Sequence, residues 1–203
     1  LKNANGFVMN GLSVGYANLG IKLVYEEAYY ESEYVRFENC HFHDIYGVTQ
    51  LDNVNGIYFS AGISTGLENS NFTGDAEGNG WPLRGLYIDG CTTNDAGSLV
   101  AGPTGVYGFY MTDCIVENNG YYGTTVYGCQ NGYIDGCIFR NNGTRSMPVG
   151  SCGIMMSVQD FTVKNTVVIG HKRQGSDPDG CGIDFEAGCR NVTIENCLFQ
   201  ENA

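Results

Sequence analysis

The sequence predicts an all-β chain wound as a solenoid of about seven stacked coils. Three observations carry that expectation. A short motif recurs along the chain, the apolar period inside it is two, and 30 Gly with only 4 Pro in 203 residues mark a turn-dense, strand-rich chain. A repeat unit of this size cannot bury its own apolar face, so it must stack on its neighbours.

The motif reads FENCHF (37–42), LENSNF (67–72), IDGCTT (88–93), MTDCIV (111–116), IDGCIF (134–139), VKNTVV (163–168) and IENCLF (194–199). Its fourth position falls at Cys40, Ser70, Cys91, Cys114, Cys137, Thr166 and Cys197, at intervals of 30, 21, 23, 23, 29 and 31. The first position is always apolar: Phe37, Leu67, Ile88, Met111, Ile134, Val163 and Ile194. The second is always polar: Glu38, Glu68, Asp89, Thr112, Asp135, Lys164 and Glu195. Alternation of this kind predicts strands whose side chains point in and out in turn. The third position holds Asn39, Asn69, Gly90, Asp113, Gly136, Asn165 and Asn196, residues that tolerate a left-handed backbone, so each coil is expected to bend there. A second short strand, a variable loop and a Gly-led third strand (56–59, 153–156, 182–185) complete a triangular coil. Seven coils at strand spacing give a rod of roughly 35 Å.

This pattern resembles the right-handed parallel β-helix of pectate-lyase-like proteins, over nearly the whole chain. The resemblance implies the fold; that fold carries lyases, hydrolases, spikes and binding modules alike. Neither end shows an amphipathic cap, and both read as cut from a longer chain, so a single domain spanning 1–203, excised from or inserted in a modular protein, is expected. The first residues lack a signal-peptide layout, and no apolar run reaches membrane-spanning length.

A formal charge of −12 with ten Lys and Arg excludes the electrostatics of nucleic-acid binding, disfavours anionic membranes and argues against polyuronate substrates. The expected partner is a neutral polymer. The nine Cys include five at the motif's fourth position (40, 91, 114, 137, 197); Cys129 and Cys189 each precede one of these by eight residues, and Cys152 and Cys181 each precede Gly-Ile. In-register strand neighbours hold Cβ atoms farther apart than a disulfide prefers, and no CxxC or His pair has ligand spacing. The thiols are therefore read as free and buried, with no metal, in a reducing or anaerobic setting.

Two aromatic groups and one acidic group are candidate binding surfaces. Tyr87, Tyr110 and Tyr133 fall on one outward strip, where they either present faces to sugar rings or stack on one another. Tyr58, Trp81, Tyr107, Tyr121, Tyr122 and Tyr127 lie on and beside the third strand, where variable loops could wall a groove. Asp184 and Glu186 share the outer face of one strand with Cα atoms about 7 Å apart, within the carboxylate separations of inverting glycosidases; the plain alternative is a solvated acidic edge. DPDG, with Asp177 and Asp179, resembles the start of a calcium loop without the remaining ligands. His41, His43 and His171 have no evident Ser or Cys partner in sequence, and the sequons at Asn71, Asn142 and Asn191 fall near turns.

The motifs of polygalacturonases and the basic groove of pectate lyases are missing. The chain resembles instead the β-helix carbohydrate-binding modules attached to xylan-degrading enzymes of gut bacteria. That resemblance implies a secreted or cell-surface, non-catalytic, monomeric module that binds xylan, with Tyr58, Trp81 and the neighbouring tyrosines as stacking platforms, Asp184 and Glu186 as hydrogen-bonding groups, and a catalytic domain in the same chain. A β-helix enzyme using Asp184 and Glu186, and an inert structural solenoid, are the alternatives.

Overall fold

The computed structural model describes residues 1, 4–25, 34–45, 61–67, 83–101, 105–145, 152–175 and 179–202. They form three parallel sheets around one apolar core. The first sheet contains β1 (Phe7–Asn10), β4 (Val35–Glu38), β7 (Leu86–Asp89), β10 (Val106–Thr112), β12 (Thr124–Asp135), β14 (Cys152–Lys164) and β16 (Cys181–Phe185), with β17 (Arg190–Glu195) also paired to β14. The second contains β2 (Ser13–Ala17), β5 (His41–Ile45), β8 (Thr92–Asn94), β11 (Ile115–Glu117), β13 (Ile138–Arg140), β15 (Val167–Ile169) and β18 (Leu198–Gln200). The third contains β3 (Ile21–Tyr25), β6 (Ala61–Leu67) and β9 (Ser98–Ala101). It continues into the opening residues of β12, where the Leu99 amide donates to the Gly123 carbonyl at 2.9 Å. Because β12 and β14 turn the corner without a break, each belongs to the third face at its start and to the first face at its end.

The in-and-out alternation read from the motif is what the strands show. Phe37, Ile88, Met111, Ile134 and Val163 pair in register and are fully buried, while Glu38, Asp89, Thr112, Asp135 and Lys164 line the outside. The bends also fall where Asn, Asp or Gly was read: Asn39, Gly90, Asp113, Gly136, Asn165 and Asn196 all have φ between 49° and 66°.

One motif copy is misassigned, and one rung was missed. Leu67 closes β6 on the third sheet, opposite Tyr25, whereas Phe37 pairs directly with Ile88. Leu67 therefore does not hold the first-sheet position that the motif assigns to it, and the rest of LENSNF, 68–72, lies outside the described residues. The missing rung is Met9, which pairs with Phe37 and is followed by the left-handed Gly11. A Gly-led third strand includes Gly62 in β6; the predicted strand at 56–59 lies outside the described residues.

Two further columns of left-handed residues complete the triangle. Tyr16 and Asp44 near the ends of β2 and β5, and Asp95, Asn118, Asn141, Gly170 and Glu201 just beyond the later second-sheet strands, turn the chain out of that sheet, and Gly108, Asn131, Asp160 and Asn191 bend β10, β12, β14 and β17 within the first. Directly after the second bend, Asn119 and Asn142 point into the core. The Asn119 side-chain carbonyl accepts from the Ala96 amide, the Asn142 carbonyl accepts from the Asn119 amide, and the Asn142 amide group donates to the Val116 carbonyl, each at 3.0 Å. Asn202 repeats the device one rung beyond His171. A buried bend leaves backbone groups that water cannot reach, and these side chains satisfy them.

All nine cysteines are free thiols. The reason for Cys at the motif's fourth position is a hydrogen bond. The thiols of Cys40, Cys91, Cys114, Cys137 and Cys197 each donate to the carbonyl two residues earlier, across the bend, at 3.2 to 3.5 Å. Thr166 makes the same bond through its hydroxyl at 2.8 Å. The position therefore selects a small, mostly apolar side chain that carries one weak donor.

Candidate functional site

The outer face of the first sheet carries the most ordered array of chemistry-bearing groups among the described residues. Arg36, Tyr87, Tyr110, Tyr133, Thr162 and Thr193 pair in sequence along it, so a single column runs across six rungs. Tyr87 and Tyr110 stack with ring centroids 4.8 Å apart at 27°, and Tyr110 and Tyr133 lie 5.1 Å apart at 54°. A cation closes each end: the Arg36 guanidinium is 4.5 Å from the Tyr87 centroid and the Lys164 ammonium 5.5 Å from that of Tyr133. The tyrosines thus stack on one another, and what they offer outward is ring edge and hydroxyl. Burial, with Tyr87, Tyr107 and Tyr133 around it, pushes the Tyr110 phenol above its ordinary range, so it remains a donor at neutral pH.

Beside this column runs a polar one: Asn10, Glu38, Asp89, Thr112, Asp135, Lys164 and Glu195. Thr112 donates to Asp89 at 2.5 Å, Asn10 to Glu38 at 2.9 Å, and the Lys164 ammonium stands 3.3 Å from Asp135. Hydrogen bonding from Asn165, then the nearby Lys164, holds the Asp135 carboxyl below the usual carboxylate range. A depressed folded-state value means that Asp135 contributes stability above its unfolded value of about 3.9, lost as pH falls through the lower folded value. Acid titrations of stability for the protein and Asp135→Asn are therefore expected to converge as pH falls below the lowered folded-state value of Asp135. On the other flank, Tyr107, Gln130, Gln159 and Arg190 form a third column, tied by the Arg190 to Gln159 bond at 2.8 Å.

The predicted aromatic group is divided. Tyr107 joins the first-sheet face, and Tyr127 is an exposed residue at the corner before it, where the register with β14 shifts. Tyr121 and Tyr122 sit at the opposite corner, both amides donating to the Gly97 carbonyl at 3.1 Å. Tyr58, Trp81 and Asp177 lie outside the described residues.

Asp184 and Glu186 are half-buried on the third face. Asp184 pairs with Met155, and the Glu186 amide donates to the Met156 carbonyl at 2.8 Å. Burial, then the neighbouring Asp179, pushes the Asp184 carboxyl upward. Its nearest chemistry is not Glu186 alone: ligand atoms of Cys152, Cys181 and Asp184 lie within 4.8 Å of one another. Sequence reading missed this cluster, although the interval of 29 from Cys152 to Cys181 equals that from Cys137 to Thr166 and so signals in-register rungs.

His43 does have a serine partner. Ser13 Oγ is 3.0 Å from His43 Nε2, and Asp44 Oδ2 is 2.8 Å from His43 Nδ1; His41 stacks on the same ring at 4.9 Å. Ser13 comes from the coil before His43, which is why no sequence motif joins them. The bonds are those of a nucleophile, base and orienting acid, but they lie on the flat outer face of the second sheet, where Ser13 pairs with His41 and Gly15 with His43. An acyl-transfer site needs free backbone donors for an oxyanion as well, and ladder pairing consumes those.

No curated protein and no solved structure matches the chain. The family model described as "right handed beta helix region" matches residues 28–203. With three parallel sheets, three bends per coil and this match over most of its length, the chain belongs to the right-handed β-helix family.

Proposed function

We propose that this chain is a non-catalytic carbohydrate-binding module whose site is the outer face of the first sheet, with a neutral plant polysaccharide, xylan above all, as ligand. One observation carries the reading: three successive rungs each pair a tyrosine with a carboxylate or hydroxyl on one flat face, namely Tyr87 with Asp89, Tyr110 with Thr112 and Tyr133 with Asp135. The rung spacing of about 4.8 Å is close to the advance of one β-1,4-linked pyranose, so a linear chain along the rod meets the same donor and acceptor set at every step. Because the ring faces are engaged with each other, recognition relies on phenol hydroxyls, Asp89, Asp135 and Gln130 hydrogen bonding to sugar hydroxyls, with ring edges beneath. The net charge of −12 supports an uncharged polymer. Attachment to a catalytic domain and export from an anaerobic bacterium belong to the same reading.

Calorimetric titration with xylo-oligosaccharides and a neutral-glycan panel, with reducing-end release assayed on the same samples, tests it. Binding without turnover is expected, and Tyr110→Ala or Asp135→Asn is expected to weaken it about tenfold, ~1.4 kcal/mol. Loss in Trp81→Ala or Tyr127→Ala with these two unaffected would move the site to the third-strand loops. Turnover abolished by Asp184→Asn would replace the module with an enzyme, and silence toward every glycan would leave a structural rod.

A further inference from the structure

We propose that Cys152, Cys181 and Asp184, with Asp179 beside them, form a binding site for a thiophilic divalent cation of the zinc type. Cys152 opens β14 and Cys181 opens β16, and the two are register partners on adjacent rungs. Asp184 follows three residues after Cys181 on the same strand. Their ligand atoms lie within 4.8 Å of one another, and a tetrahedral ion with Zn–S near 2.3 Å and Zn–O near 2.0–2.2 Å is reached from there by small side-chain rotations.

What sets this cluster apart from the other cysteines is the carboxylate among its ligand atoms. Each of the remaining seven thiols donates to a backbone carbonyl, as a structural buried Cys does. Cys152 and Cys181 also meet each other across the rungs, as Cys91, Cys114 and Cys137 do in their stack. The other charged groups acting on the pair, Asp184 and Asp179, are acidic, so the cluster gathers negative charge that a cation neutralises. In-register parallel rungs sit at about 4.8 Å, which disfavours a disulfide, whose Cβ atoms prefer roughly 3.8 Å.

Two sulfurs also set the metal class. Thiolate with carboxylate suits Zn²⁺, whereas Ca²⁺ takes oxygen ligands alone, so the calcium reading of the DPDG segment does not extend to this cluster. A metal here would clip two consecutive coils to the segment that carries Asp179. Half-exposure of Cys181 and Asp184 leaves a route for the ion to enter.

The test is Co²⁺ titration of the reduced, chelator-treated protein, followed by Zn²⁺ displacement, with thermal unfolding measured in parallel. One equivalent is expected to bind with sulfur-to-cobalt charge-transfer and tetrahedral ligand-field bands, and Zn²⁺ is expected to bleach them and raise the melting temperature. Cys181→Ser and Asp184→Asn should weaken binding at least tenfold and abolish the thermal shift, while Cys197→Ser leaves both intact. Circular dichroism on each variant confirms that the fold persists. The proposal fails if no charge-transfer band forms, if Cys197→Ser and Cys181→Ser behave alike, or if mild oxidation of the folded protein joins Cys152 to Cys181 and the metal-free reduced form shows no Zn²⁺ response.

Discussion

Gly132→Ala is expected to lower the stability of the fold by about 3 kcal/mol, read as a fall in the urea midpoint. Replacing Gly by Ala inside a strand ordinarily stabilises by restricting the unfolded chain, so the sign is informative. Gly132 faces inward in the column Leu86, Phe109, Gly132, Phe161, Val192. Phe109 and Phe161 flank it with ring centroids only 6.2 Å apart, and both are buried. The two rings fill the space that a side chain on the middle rung would take. A Cβ on Gly132 would stand 2.1 Å from the Phe109 carbonyl oxygen and 2.9 Å from Phe161 Cε2. A ring can swing aside, but that carbonyl is held in the parallel ladder. Adding Phe161→Leu to Gly132→Ala is therefore expected not to restore the midpoint. A loss below about 0.5 kcal/mol would mean that adjacent coils slide apart more readily than a close-packed core allows.

Asn142→Leu is expected to cost about 2–4 kcal/mol, although the replacement matches the volume and adds apolar surface. Asn142 is 1% exposed, and its two side-chain hydrogen bonds serve the Asn119 amide and the Val116 carbonyl. Removing them strands two buried backbone groups at once, each worth roughly 1–3 kcal/mol when unsatisfied. The check is the same denaturation experiment, with Asn202→Leu as comparison. Asn202 makes the equivalent bonds in a partly buried site, so water compensates and its loss should be smaller. Equal losses at the two positions would show that burial does not set the cost. The same geometry predicts that the sequon at Asn142 is closed to modification in the folded protein.

Much of the architecture was legible because it depends on local rules. Alternation along Phe37-Glu38 and Ile134-Asp135 states which side chains face in, and Asn39 or Gly136 states where the backbone turns left-handed. The tyrosine column was equally legible, since equal offsets from successive bends place Tyr87, Tyr110 and Tyr133 on adjacent rungs. The LENSNF segment shows where such rules fail: it satisfies the alternation and the turn chemistry, yet Leu67 pairs with Tyr25 on another sheet. A local pattern cannot count the residues that an irregular coil inserts between one rung and the next.

The sequence by itself determined the strands, the bends, the apolar interior and the cysteine stack, because each follows from the preference of a residue and its immediate neighbours. Only the tertiary structure decided what meets across coils. Ser13 reaches His43, Asn142 reaches Asn119 and Cys152 reaches Cys181 because separate turns of the chain are stacked in one register. That register is set by the packing of the whole column, so the chemistry it assembles belongs to no single stretch of the chain.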